Sequence, residues 1–165
     1  MADVLAAKPF EAVKAEGIVD ATNTDLWERT LTVAGLKFKV DTSTDFGRSQ
    51  KSKKSMWLED ISPGDYLKVE GFADGQFIVA SVIKKAKHKR RTRVTAPVSN
   101  VTDTTLMISG IEINTQAHSI RYAVKGKNKS REEFMKAVQV GSFVRVKWRN
   151  SNHVDSPPSD VELTH

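Results

Sequence analysis

The chain of 165 residues contains no cysteine. Disulfides, thiolate metal sites and cysteine nucleophiles are therefore excluded. The compartment stays open, because a cysteine-free chain suits the cytosol and the exterior alike. Aromatic residues make up only 7% of the chain, and proline occurs five times. No apolar run approaches the roughly 18–20 residues that cross a bilayer, so no membrane span is expected. The opening stretch MADVLAAKPFEA has neither the basic n-region nor the apolar h-region of a secretion signal. This predicts a cytoplasmic chain, or an exported one whose signal has already been removed.

Catalytic signatures are also missing. The sequence has no phosphate-binding G-x-x-x-x-G-K loop, no H-E-x-x-H, no G-x-S-x-G and no G-x-G-x-x-G. The four histidines, His88, His118, His153 and His165, are scattered without ligand spacing. A metal site needs three or four converging ligands, and carboxylates here stand singly or in surface-type pairs such as Glu59-Asp60. The expectation is a protein with no catalytic residues, no metal and no cofactor.

What the sequence does have is positive charge. The formal net charge is +6, which favours polyanionic partners: nucleic acid, anionic polysaccharide or an acidic membrane surface. The plainer alternative is charge that serves solubility only. The densest stretch is KKAKHKRRTR, comprising Lys84, Lys85, Lys87, Lys89, Arg90, Arg91 and Arg93, with no acidic residue among its ten.

On either side of that run the sequence repeats itself. Val13–Ala86 aligns with Arg93–Thr164: AEGIVDATNTD pairs with VTAPVSNVTDT, and TLTVAGLKFKV pairs without a gap with TLMISGIEINT. Gly35 falls on Gly110, and Gly64 on Gly141. Each copy alternates apolar and polar residues with a period of two, as half-buried strands do. Ala34-Gly35 and Ser109-Gly110 read as tight hairpin turns. Ser130-Arg131-Glu132-Glu133 has the form of a helix capping box, predicting a short helix over Ser130–Val138; its counterpart is Ser55–Ile61, one or two turns.

Each copy thus orders three strands, a short helix and two strands. The expected fold is all-β with short helices, as two tandem five-stranded OB-like barrels. The expected organisation is an N-terminal extension at 1–12, a first barrel at 13–86, a basic connector at 87–92 and a second barrel at 93–165.

In the first copy, Val40-Asp41-Thr42-Ser43-Thr44 is followed by Leu58-Glu59-Asp60-Ile61-Ser62-Pro63-Gly64-Asp65-Tyr66-Leu67-Lys68-Val69-Glu70-Gly71. This resembles a bacterial family of small β-repeat domains classed only as a domain of unknown function. Its hallmark is a hairpin ending in a V-D-x-x-T-like segment, then L-x-D-I/L-x-x-G-D-x-V-x-V-x-G. The resemblance implies a fold and, because such domains recur in tandem in envelope or exported proteins, a setting; it implies no catalytic residue and no ligand. The second copy departs from the pattern: Ser142 stands in place of the Asp, Trp148 replaces the later Gly, and Pro157-Pro158 interrupt the last strand.

Three sets of cations are candidate phosphate contacts. The first is the connector. The second is the pair of loops after the third strand of each copy, with Arg48, Lys51, Lys53 and Lys54 in one and Arg121, Lys125, Lys127, Lys129 and Arg131 in the other. The third is the strand Ser142–Arg149, which sets Val144, Val146 and Trp148 on one face and Phe143, Arg145, Lys147 and Arg149 on the other. Rings beside cations suit single-stranded nucleic acid, with bases on the rings and phosphates on the charges. Phe143, and less directly Tyr66 and Phe72, are the stacking candidates. The expected function is sequence-independent nucleic-acid binding. The alternative is a structural module of an envelope or extracellular assembly, where outward aromatics meet a neighbouring chain or a homo-oligomer forms through sheet edges.

Overall fold

The computed structural model describes residues 12–47, 57–74 and 77–164. The protein is mostly β. The first copy carries β1 (Val13–Asn23), β2 (Thr30–Val33), β3 (Leu36–Lys39), β4 (Asp45–Phe46), a 3₁₀ turn at Leu58–Asp60, β5 (Tyr66–Asp74) and β6 (Phe77–Lys85). The second carries β7 (Thr92–Val101), β8 (Thr105–Ile108), β9 (Ile111–Asn114), β10 (Arg121–Val124), β11 (Lys127–Lys129), helix α1 (Arg131–Ala137), β12 (Phe143–Trp148) and β13 (Asp160–Leu163).

Local chemistry accounts for these elements. Leu31, Val33, Leu36 and Phe38 point into the core while Lys37 and Lys39 face solvent. Both residues of each hairpin turn have positive φ: 52° and 82° at Ala34-Gly35, 46° and 96° at Ser109-Gly110. That backbone matches the twist of the flanking strands. Helix α1 begins where predicted. The Ser130 hydroxyl accepts the Glu133 N–H at 3.1 Å, and the Glu133 carboxylate accepts the Ser130 N–H at 3.3 Å. The bond from the Ser130 N–H, with the Ser130 hydroxyl and the Lys129 charge beside it, holds the Glu133 carboxyl below its ordinary range.

In the first copy the pairings close on themselves. β1 pairs β2, β2 pairs β3, β3 pairs β6 in parallel, β6 pairs β5, and β5 returns to β1. The second copy follows the same path but stops short. β7 pairs β8 and β12, β12 pairs β13, and β13 pairs β10 in parallel. Among the described residues β9 pairs β8 alone, which departs from the expected closed five-strand ring. The cause lies in Pro157-Pro158, which have no N–H to offer a ladder; strand structure resumes only at Asp160.

The two copies are joined strand to strand. β1 and β7 pair antiparallel, with Lys14 opposite Thr95, Ala15 opposite Val94 and Glu16 opposite Arg93. Ala15 and Val94 hold the same place in the two repeats, so the joint has local two-fold character. The buried apolar residues form one continuous cluster through both copies. The 149–159 loop strengthens the joint. The Thr92 hydroxyl donates to the Ser151 carbonyl at 3.1 Å, and the Asn152 amide nitrogen, turned toward the connector, donates to the Lys89 and Arg91 carbonyls at 3.1 and 3.2 Å.

Candidate polyanion-binding face

Residues directly opposite each other on paired strands share a face. Followed across the joint, one such row reads Arg121 (β10), Asp160 (β13), Lys147 (β12), Arg93 (β7), Glu16 (β1), Lys68 (β5) and Lys84 (β6). Five cations and two carboxylates therefore cross seven strands on one outer surface that runs through both copies.

The centre of the row is Glu16, only 8% exposed. Its carboxylate lies 3.5 Å from the Arg91 guanidinium and 3.9 Å from the Lys89 ammonium. Tyr66 donates its hydroxyl to Glu16 at 3.3 Å and to the Arg91 carbonyl at 3.1 Å. The Tyr66 hydroxyl is pushed above its usual pKa, first by burial and then by the Glu16 charge. The connector thus folds back over the sheet. Lys89 and Arg91 are engaged with Glu16, whereas Lys87 and Arg90, like Lys84 and Lys85 at the end of β6, are exposed. Arg91 and Arg93 each keep a buried Nε–H without a partner among the described residues.

Replacing Glu16 by Gln is expected to cost about 2 kcal/mol, because it leaves the Arg91 guanidinium and the Lys89 ammonium without their shared anion. Breaking a fully buried pair costs more; here the Arg91 and Lys89 side chains are each 41% exposed, and water screens part of the loss. Urea unfolding measures it, and a change below about 0.5 kcal/mol would place the connector's charges in water rather than on Glu16.

On the second copy the row runs into an open groove of about 1180 Å³. Its floor is the outer face of β10, β13 and β12. Its walls are residues 115–118, part of β11 and the start of α1. Arg121, Lys129, Arg131, Arg145, Lys147 and Arg149 all line it, facing Glu132, Asp160 and Glu162. Arg145 pairs with Glu162 at 3.5 Å, and Arg149 with Asp160 at 2.8 Å; the latter contact raises the Arg149 pKa. Arg131 is committed to structure, donating to the Thr115 carbonyl at 2.8 Å and to the carbonyl of Asp103. Among the described residues, Arg121 and Lys147 have no carboxylate within ion-pair distance.

The face assignment for Ser142–Arg149 agrees with the structure: Val144, Val146 and Trp148 are buried, and Phe143, Arg145 and Lys147 alternate outward. The aromatic part does not. Tyr66 is 4% exposed, covered by the connector, and cannot stack a base. Phe143 packs half-buried against the core and does not line the groove. Phe72 is exposed. Lys125 and Lys127 stand exposed on the β10–β11 hairpin outside the groove lining. Arg48, Lys51, Lys53 and Lys54 lie outside the described residues.

Sequence reading missed two features. One is Glu16, whose only signal is a lone carboxylate amid apolar strand residues. The other is an exposed apolar group, Leu26, Trp27 and Trp57, with Trp27 91% exposed. An Arg29–Glu59 bond of 2.6 Å ties the two segments that carry them. Leu26-Trp27 inside the polar turn DATNTDLWERT was the available clue. No described helix is long and apolar enough to cross a membrane.

Residues 16–84 match the model of a family described as "Domain of unknown function (DUF5666)". The match coincides with the first copy; the second lies outside it. A search of curated proteins finds no match. Among solved structures, CusF of Escherichia coli with Ag(I), residues 10–88, is similar at 16% identity over 50% of this chain and 99% of that one, with a TM-score of 0.34. The apo form of the same protein gives 14% identity, 49% and 94% coverage, and a TM-score of 0.34.

Proposed function

We propose that the protein is a non-enzymatic binding module in which two fused OB-like barrels hold a phosphate-bearing polyanion against one cationic sheet face. The row from Arg121 to Lys84 supports this reading: cations from both repeats share a surface and open into a groove on the second copy. Nucleic acid keeps its place as a ligand through its phosphates. Base stacking loses support, since Tyr66 is buried and Phe143 stands aside from the groove. Contacts dominated by phosphate carry little sequence information and weaken steeply with salt.

A labelled single-stranded oligonucleotide and inorganic polyphosphate, titrated at several salt concentrations, test this. Replacing Lys147 and Arg121 together by Ser is expected to reduce the slope of log affinity against log salt by about 2. Unfolding should be unchanged, since neither side chain is buried and neither is paired with a described carboxylate. Equal binding of the two probes assigns recognition to phosphate alone; preference for the oligonucleotide restores a role for the bases. No affinity for either at low salt overturns the reading.

A second reading, a module of an envelope or extracellular assembly, is favoured by the exposed Leu26, Trp27 and Trp57 and by the family resemblance of the first copy. That resemblance also favours an exported setting over a cytoplasmic one. Sedimentation of the protein without nucleic acid separates the two readings, with large oligomers that Trp27→Ser disperses marking assembly.

A further inference from the structure

Among the described residues, no strand of the second copy takes a half-strand position that the first copy fills. In the first copy β3 is covered by the start of β6, with Phe38 opposite Ile78 and Lys39 opposite Val79. Among the described residues the equivalent strand, β9, pairs β8 only. Beside it runs a groove of about 470 Å³, walled by Ile111–Asn114 on one side and Val154–Pro157 on the other.

The edge is chemically unfinished. The two-residue turn at Ser109-Gly110 sets Ile111 and Ile113 in hydrogen-bonded register with β8. The Thr115 N–H to Thr104 carbonyl bond of 2.9 Å continues that alternation. Glu112 and Asn114 therefore turn their backbone N–H and C=O groups outward, and among the described residues no strand meets them. A four-residue edge spans ~13 Å, enough for a short extended segment. The charge differs from the first copy too. There the edge carries Lys37 and Lys39, and Lys39 sits over the Phe77 ring at 5.3 Å. Here the charged side chains of the groove are Glu112 and Asp155, and among the described residues no cation lines it.

We propose that the β9 edge accepts an extended segment of a partner chain as a parallel strand, apolar where it faces the barrel and bearing Lys or Arg where it passes Glu112. The first copy's Phe77–Ser81 is the template for direction and length. This site shares no residue with the cationic groove and does not rest on the polyanion reading.

The probe is the peptide acetyl-KIVASK-amide, which carries the Ile78–Ser81 sequence with lysine at the Phe77 position. Titrated into the full chain, it should saturate and slow hydrogen exchange at the Glu112 and Asn114 amides. The control acetyl-EIVASE-amide should bind about tenfold more weakly. Glu112→Pro removes one edge N–H at a position where an edge strand tolerates proline, and should weaken binding by about tenfold. Should that variant fail to fold, Glu112→Lys keeps the backbone and should reverse the preference between the two peptides. The Lys147→Ser, Arg121→Ser protein should bind the peptide unchanged, which separates this site from the cationic face. No saturation, equal binding of both peptides, or protection at another edge overturns the proposal. Self-association of the free protein that Glu112→Pro abolishes would seat a second copy there and overturn the choice of occupant.

Discussion

Replacing Trp148 by alanine is expected to destabilise the protein by about 3–5 kcal/mol. The indole is 1% exposed and is the largest fully buried side chain. Its Nε1–H donates to the Ser156 carbonyl at 2.9 Å, so truncation removes packing and strands a carbonyl of the 149–159 loop. That loop also holds the connector through Ser151 and Asn152. The cost should therefore appear in the joint as well as in the second copy, as faster amide exchange at Ala15 and Val94. Trp148→Phe should cost less, because it keeps most of the volume although it also loses the hydrogen bond. A loss below about 1 kcal/mol for the alanine variant would mean that the indole fills no space the barrel needs.

The second large effect belongs to the equivalent position of the first copy. Gly71→Ala is expected to cost about 3 kcal/mol, through crowding rather than a cavity. A Cβ at residue 71 would stand 2.3 Å from the Val79 carbonyl oxygen and 3.3 Å from the Ala80 Cα. These are backbone atoms of a strand fixed on both sides, by β5 and by β3, so they cannot yield as a flexible side chain would. The β5–β6 register also shifts between Glu70 and Gly71, and such bulges bring backbones close. Urea unfolding measures the loss, and amide exchange should place it in β5 and β6. A near-neutral outcome would show that β6 moves away freely from residue 71.

The two positions explain each other. Where β6 runs the full length of its partner, the facing residue must be glycine. Where Pro157-Pro158 stop the corresponding strand early, the space beside β12 opens and tryptophan fills it. The sequence displays both differences, Trp148 for Gly71 and the proline pair, but as separate departures from a pattern. Their connection is spatial, since the residues meet across a strand pairing that one copy has and the other lacks.

The cationic residues divide in the same way. Alternation in Ser142–Arg149 is enough to place Arg145 and Lys147 outward, because strand periodicity is local. Nothing local shows that Lys147 would stand beside Arg93, or Arg93 beside Glu16, since those neighbours are set by the pairing of β12, β7 and β1. Tyr66 makes the point most sharply. Its alternation puts it on the outer face with Lys68, and so it is; but the connector crosses that face and covers it.

Local chemistry, then, was decided by the sequence itself: a duplicated strand-rich unit, two turns of positive φ, a capped helix at Ser130, and an excess of cations with no catalytic motif. These follow from backbone sterics, side-chain alternation and short-range hydrogen bonds, all acting within a few residues. Tertiary structure alone decided that the repeats fuse through β1 and β7, that Glu16 gathers the connector's cations, that Arg121 and Lys147 share a groove, and that no described strand covers the outer edge of β9. Each of those depends on which backbone groups find partners far along the chain, a competition settled only when both copies are folded against one another.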